Sequence, residues 1–230
     1  MIYLILFGLL LALIYAPQFW VRYVLRKYSR PLDNMPGTGG ELAVHLLNRF
    51  EYPDVTVEKT APGQDHYSPD DNAVRLSPDV FEGKSLTAIA TAAHEVGHAL
   101  QFNREELVTR LRTRYMTKAA RLQRIAAGLL MAMPIVLAIF KVPHAMLLTG
   151  AVGVISMLLS VLMYVAILPE EWDASFNKAL PILVEGEYIT EEQIPAVRRI
   201  LKACALTYVA AALADIVRLW RWLAIFRGIR

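Results

Sequence analysis

A mainly α fold with a small β-sheet, built around transmembrane helices, is what the sequence predicts, and three observations carry that reading. Of the 230 residues, 56% are hydrophobic, more than an ordinary soluble domain carries. Two stretches, Ile2–Val21 and Ala145–Leu168, hold no charged residue and are long enough to cross a bilayer. Between them, strand-like alternation is confined to short pieces, while the run around His94-Glu95-Val96-Gly97-His98 is small and apolar enough for a buried helix.

The first run, residues 1–21, reads as a retained anchor. A cleaved signal peptide would want a basic start and a small-x-small site, and neither is present. Arg22, Arg26, Lys27 and Arg30 follow directly, which places this end on the cytoplasmic side. Residues 22–124 then form a cytoplasmic region. Gly39 to Tyr52 reads as a helix with Leu42, Val44, Leu46 and Leu47 apolar. Val55-Thr56-Val57-Glu58 alternates as a strand, Pro69 to Asn72 as a turn, and Ala73-Val74-Arg75-Leu76 as a second strand. Residues 125–168 read as a transmembrane hairpin, Ile125–Val142 and Ala145–Leu168, with His144 solvated in the turn. Seven cations from Arg104 to Arg124 put its entry on the cytoplasmic side, in agreement with the first anchor. Residues 169–230 supply a helix after the hairpin, a helix start at Pro195–Arg199, and a last apolar segment from about Ile200 to Phe226. That segment either spans the membrane, as its Ala203–Ala214 core favours, or lies on the surface, as its basic end favours.

The net charge of +3 is small, and the basic residues abut apolar spans instead of lining a polar face with aromatic platforms. Nucleic acid is therefore excluded as a partner. The single Cys204 excludes an internal disulfide and reads as a packing residue in an apolar run.

The chemistry is concentrated at His94 and His98. Residues four apart on a helix share a face, so both imidazoles reach one zinc ion, and Glu95 projects beside it where a carboxylate can deprotonate a bound water. Composition alone produces this spacing in roughly one such chain in a few hundred. A catalytic zinc takes three protein ligands and keeps one open position. The candidates for the third are His45, His66, Glu170, Glu171 and Asp173. The hairpin returns near Leu168, so Pro169-Glu170-Glu171-Trp172-Asp173 emerges on the side of the metal helix, and the helix continuing through Ala174–Leu180 gives a ligand rigid support. Glu170 reads as a helix N-terminal charge favoured by the macrodipole, and Glu171 as the ligand.

The chain resembles the YugP-type neutral zinc metallopeptidases of bacterial membranes. The matching pieces are the N-terminal anchor, Thr38-Gly39-Gly40-Glu41-Leu42-Ala43, Asp65-His66-Tyr67-Ser68-Pro69, Val74-Arg75-Leu76-Ser77, the stretch from Ala92 to Gln101, the return from Leu168 to Ser175, and Leu206-Thr207-Tyr208-Val209-Ala210-Ala211. The resemblance implies a zincin-like metallopeptidase domain with one catalytic zinc, His94, His98 and Glu171 as its ligands and Glu95 as the base. A more distant likeness is to membrane proteases of the HtpX and CAAX-prenyl-protease type, whose third-ligand helix carries an Asp four residues after the Glu. Here that position is Ser175, which leaves open what orients the ligand histidines.

The function this predicts is a membrane-embedded zinc endopeptidase of the bacterial cell membrane, with its site facing the cytoplasm and a peptide or protein as substrate. Glu95 takes the water proton and returns it to the leaving amine. The strand around Val74–Ser77 is expected to offer a sheet edge to an extended substrate. His66 and Tyr67 read either as donors to the reacting carbonyl oxygen or as a turn-stabilising His and a half-buried Tyr. A non-catalytic zinc-binding membrane scaffold or adaptor is the alternative, against which Glu95 and the lack of a fourth Cys or His ligand both speak. A transporter is disfavoured because the two charge-free runs hold no ionisable residue to mark a pathway.

Overall fold

The computed structural model describes residues 2–110, 125, 128 and 143–210. They fall into two compact units, one of Phe19–Arg110 with Leu168–Thr207, the other of Met1–Gln18, Leu111–Ile167 and Tyr208–Arg230.

The first of these units is built on a buried helix. Helix α1 (Ile2–Lys27) enters it, and α2 (Gly39–Arg49) opens on a capping box. Thr38 Oγ1 accepts from the Glu41 amide at 3.1 Å, and Glu41 Oε2 accepts from the Thr38 amide at 2.8 Å, so two otherwise orphaned donors are satisfied. A Cβ on Gly39 would lie 2.3 Å from the Val80 carbonyl oxygen, so only glycine lets α2 start this close to its neighbour. Strands β1 (Thr56–Lys59), β2 (His66–Ser68) and β3 (Ala73–Leu76) form one sheet in the order β1-β3-β2. β1 pairs parallel to β3 with Val57 opposite Val74, and β2 pairs antiparallel with Tyr67 opposite Val74. Strand β3 is therefore central. The free edge expected at Val74–Ser77 is taken by its two neighbours, because His66-Tyr67-Ser68 also folds as a strand and turns back through 69–72.

After α3 (Pro78–Phe81), Ser85 caps α4 (Leu86–Asn103), its hydroxyl accepting from the Ala88 amide at 3.1 Å. Every residue of α4 from Leu86 to Gln101 is buried. Its Ala and Gly positions let neighbouring backbones approach. Around it, Leu46, Leu47, Leu76, Leu183, Ile200 and Leu201 are fully buried, each contributing about 1.5–3 kcal/mol of apolar burial.

Helix α5 (Pro143–Trp172) passes without a break into a π-helical turn over Asp173–Ala179 and then into α6 (Leu180–Glu185). A further helix, α7, covers 194–210. The expected run Ile2–Val21 is helical within α1, and Ala145–Leu168 within α5. His144, expected in a turn, lies in the first turn of α5, because Pro143 is accommodated as its opening residue. Among the described residues no helix is long and apolar enough to cross a membrane, so the transmembrane reading of these runs finds no support in the helices themselves. Most of the other hairpin limb, 125–142, and the C-terminal segment beyond 210 lie outside the described residues.

Candidate active site

Helix α4 carries His94, Glu95 and His98, all at most 6% exposed. The two imidazoles sit one turn apart, with ring centroids 4.7 Å from each other and planes crossed at 78°. Glu171, 1% exposed, faces them from the last turn of α5. Its Oε2 lies 3.3 Å from His94 Nε2 and 3.4 Å from His98 Nε2. One ligand atom from each residue can be chosen so that all three lie within 4.8 Å of one another.

Close approach of the two elements depends on Gly97, between the histidines. A Cβ there would meet the Ala174 carbonyl oxygen at 2.8 Å and Lys178 Cβ at 3.3 Å, so a side chain would push α4 away from the segment that carries Glu171.

Burial raises the Glu171 pKa, but His98 and His94 beside it more than offset this and hold it well below the usual carboxylate range. A carboxylate oxygen and two imidazole nitrogens converge in a place shut off from water, an arrangement that is costly unless protons on the imidazoles or a metal cation complete it. The two separations to Glu171 Oε2 suit a zinc ion, since ligand atoms about 2.0–2.1 Å from a tetrahedral zinc stand about 3.3–3.4 Å apart. Two imidazoles and one carboxylate also form the three-ligand set of a catalytic zinc rather than a closed structural one.

The remaining candidates are otherwise engaged. His45 is exposed on α2, with Nε2 2.7 Å from the Tyr188 hydroxyl. His66 donates from Nδ1 to the Gln64 carbonyl oxygen at 2.7 Å. Tyr67 is buried, not half-buried; it donates to Asn72 Oδ1 at 2.8 Å and accepts from Asn103 Nδ2 at 3.3 Å, tying β2 to the turn before β3 and to α4. Both residues thus have structural partners.

Glu170 is not a helix N-terminal charge. Pro169 lies inside α5, so no helix begins there, and Glu170 is 1% exposed with Oε1 3.6 Å from His98 Nδ1. Asp173 is not part of the His94–His98–Glu171 cluster. It accepts from Gln101 Nε2 at 2.8 Å, Asn177 Nδ2 at 2.7 Å and Lys178 Nζ at 3.1 Å.

Two residues outside the sequence-derived set touch the histidines directly. Ser175 Oγ lies 3.0 Å from His94 Nδ1, and Gln101 Oε1 lies 3.0 Å from His98 Nδ1. Their sequence signals are slight: Gln101 is three residues after His98 on the same helix, and Ser175 is four after Glu171.

The chain matches, over residues 3–227, a family described as "Putative neutral zinc metallopeptidase". It is 34% identical over 217 residues to the "Putative membrane protease YugP" of Bacillus subtilis (strain 168), an alignment covering 94% of this chain and 92% of that protein. No solved structure matches the chain. With its histidine pair and buried glutamate in place and a match along nearly its whole length, the chain belongs to the YugP-type family of neutral zinc metallopeptidases.

Proposed function

We propose that this protein is a zinc-dependent endopeptidase of the bacterial cell membrane, with His94, His98 and Glu171 holding one zinc and Glu95 as the catalytic base. The observation that carries the reading is the convergence of His94 Nε2, His98 Nε2 and Glu171 Oε2 in a buried site whose helix α4 also carries Glu95. A zinc ion held there supplies an acidified water and a Lewis acid for the scissile carbonyl. Glu95 accepts the water proton and hands it to the departing amine, a role open to a buried carboxylate that is not itself a ligand. An extended substrate has the outer strands β1 and β2 as the sheet edges available to it, since β3 is covered on both sides.

The membrane placement rests on the name of the Bacillus relative and on the charge-free runs Ile2–Val21 and Ala145–Leu168. Their basic flanks favour a site on the cytoplasmic side. The test is Glu95→Gln in the full chain purified in detergent, read by bound zinc and by cleavage of an unfolded protein. Retained zinc with cleavage lowered by about 10²–10⁴ is expected. Equal cleavage in both proteins would sink the enzyme reading. Zinc retained with no cleavage by either protein would favour a binding scaffold.

A further inference from the structure

The hydrogen bonds behind the two imidazoles fix which nitrogen of each faces Glu171. Gln101 Nε2 donates to two groups that can only accept, the Glu170 carbonyl oxygen at 3.0 Å and Asp173 Oδ2 at 2.8 Å. Turning the amide over would set its oxygen against both, so its orientation is determined by these partners. Oε1 therefore faces His98 and can only accept, and His98 Nδ1 carries the proton between them. Asp173 is itself held by Lys178, which also pairs with Glu106 at 3.0 Å. At His94 the logic is the same with a hydroxyl. Ser175 Oγ donates its one proton to the Leu201 carbonyl oxygen on α7 at 3.1 Å, which leaves it an acceptor for His94 Nδ1–H at 3.0 Å.

We infer that Ser175 and Gln101 are the positioning residues of this site, each locking one imidazole with its proton on Nδ1 so that both Nε2 lone pairs point to the place beside Glu171. The inference rests on the reading of His94, His98 and Glu171 as metal ligands. Both partners are neutral acceptors: the hydroxyl of Ser175 serves His94 and the amide oxygen of Gln101 serves His98. Glu170 Oε1, at 3.6 Å from His98 Nδ1, is beyond hydrogen-bonding distance. Ser175, the Glu170 carbonyl and Asp173 all lie on the stretch that carries Glu171. One stretch, from Glu170 to Ser175, therefore provides the third ligand and anchors the orientation of the other two. The π-helical turn lies at this junction, where the backbone ladder changes register and the Glu170 carbonyl accepts from Gln101.

The experiment compares the full-length protein with Ser175→Ala and Gln101→Met. Zinc affinity is measured by chelator competition, and the imidazole Nδ1–H protons of the zinc-loaded proteins by ¹⁵N-resolved NMR. The wild type is expected to show two protected Nδ1–H signals. Ser175→Ala should remove that of His94 alone and Gln101→Met that of His98 alone, each weakening zinc about 10–100-fold. Unchanged affinity and both signals retained in either variant would overturn the assignment for that residue. Loss of both signals in one variant would mean a general loosening and would overturn it too. A wild type that takes up no zinc would instead defeat the ligand reading on which the assignment rests.

Discussion

At the scale of single residues, the site is an exercise in satisfying buried polar atoms. Tyr67 illustrates how this decides roles. Its phenol already donates to Asn72 and accepts from Asn103, and burial, partly offset by the Asn103 hydrogen bond, raises its pKa, so it stays a neutral structural group. Tyr67→Phe should therefore cost about 1 kcal/mol of stability in denaturant unfolding and leave peptide cleavage nearly intact. A donor to the reacting oxygen would instead cost about 10²–10³ in kcat. His94, Glu95 and His98 were legible in the sequence because four-residue spacing maps directly onto one helix face. Gln101 is not legible there, since a glutamine acquires its role only from what stands within about 3 Å of it, and Ser175 is marked in the sequence only as the position four after Glu171 with its role left open.

At the scale of elements, α4 and the Glu171-bearing stretch function as a docked pair. Gly97→Ala should drive a methyl into the Ala174 carbonyl, costing about 1–3 kcal/mol and weakening zinc binding even though no ligand changes. Thermal unfolding and chelator competition on the same variant check both halves. Asp173, on the same stretch as Glu171, braces the pair through Gln101 of α4. Burial raises its pKa, but hydrogen bonds from Gln101, Asn177 and Lys178 outweigh it and hold the carboxyl below its ordinary value of 3.8. A depressed carboxyl contributes stability that is fully present above its unfolded pKa and is lost as pH falls through the folded one. Wild-type stability should accordingly fall more steeply below about pH 4 than that of Asp173→Asn, as unfolding curves across that range will reveal.

Elements were unequally readable. The bounds of strand β3 are legible because Ala73-Val74-Arg75-Leu76 carries its own pattern. Its central position is not, because β2 is three residues long, two of them polar, and strand order is set by pairings that local sequence does not encode. The place of Glu170 is not legible either, because Pro169 before it lies inside the helix Pro143–Trp172 and no helix N-terminus stands there to favour its charge.

At the scale of the whole molecule, the unit that holds the site is assembled from two distant stretches, Phe19–Arg110 and Leu168–Thr207. Neither stretch alone contains His94, His98 and Glu171, so zinc binding by the proposed site would report on their correct union. The full chain should bind one zinc, and Glu171→Ala should weaken it more than the about 10–100-fold expected of an outer partner. The direct measurement is the zinc-binding isotherm of the full-length protein beside that of Glu171→Ala. One tightly held zinc in the wild type, lost in the variant, is the predicted result; equal binding by the two, or none by either, would contradict the site.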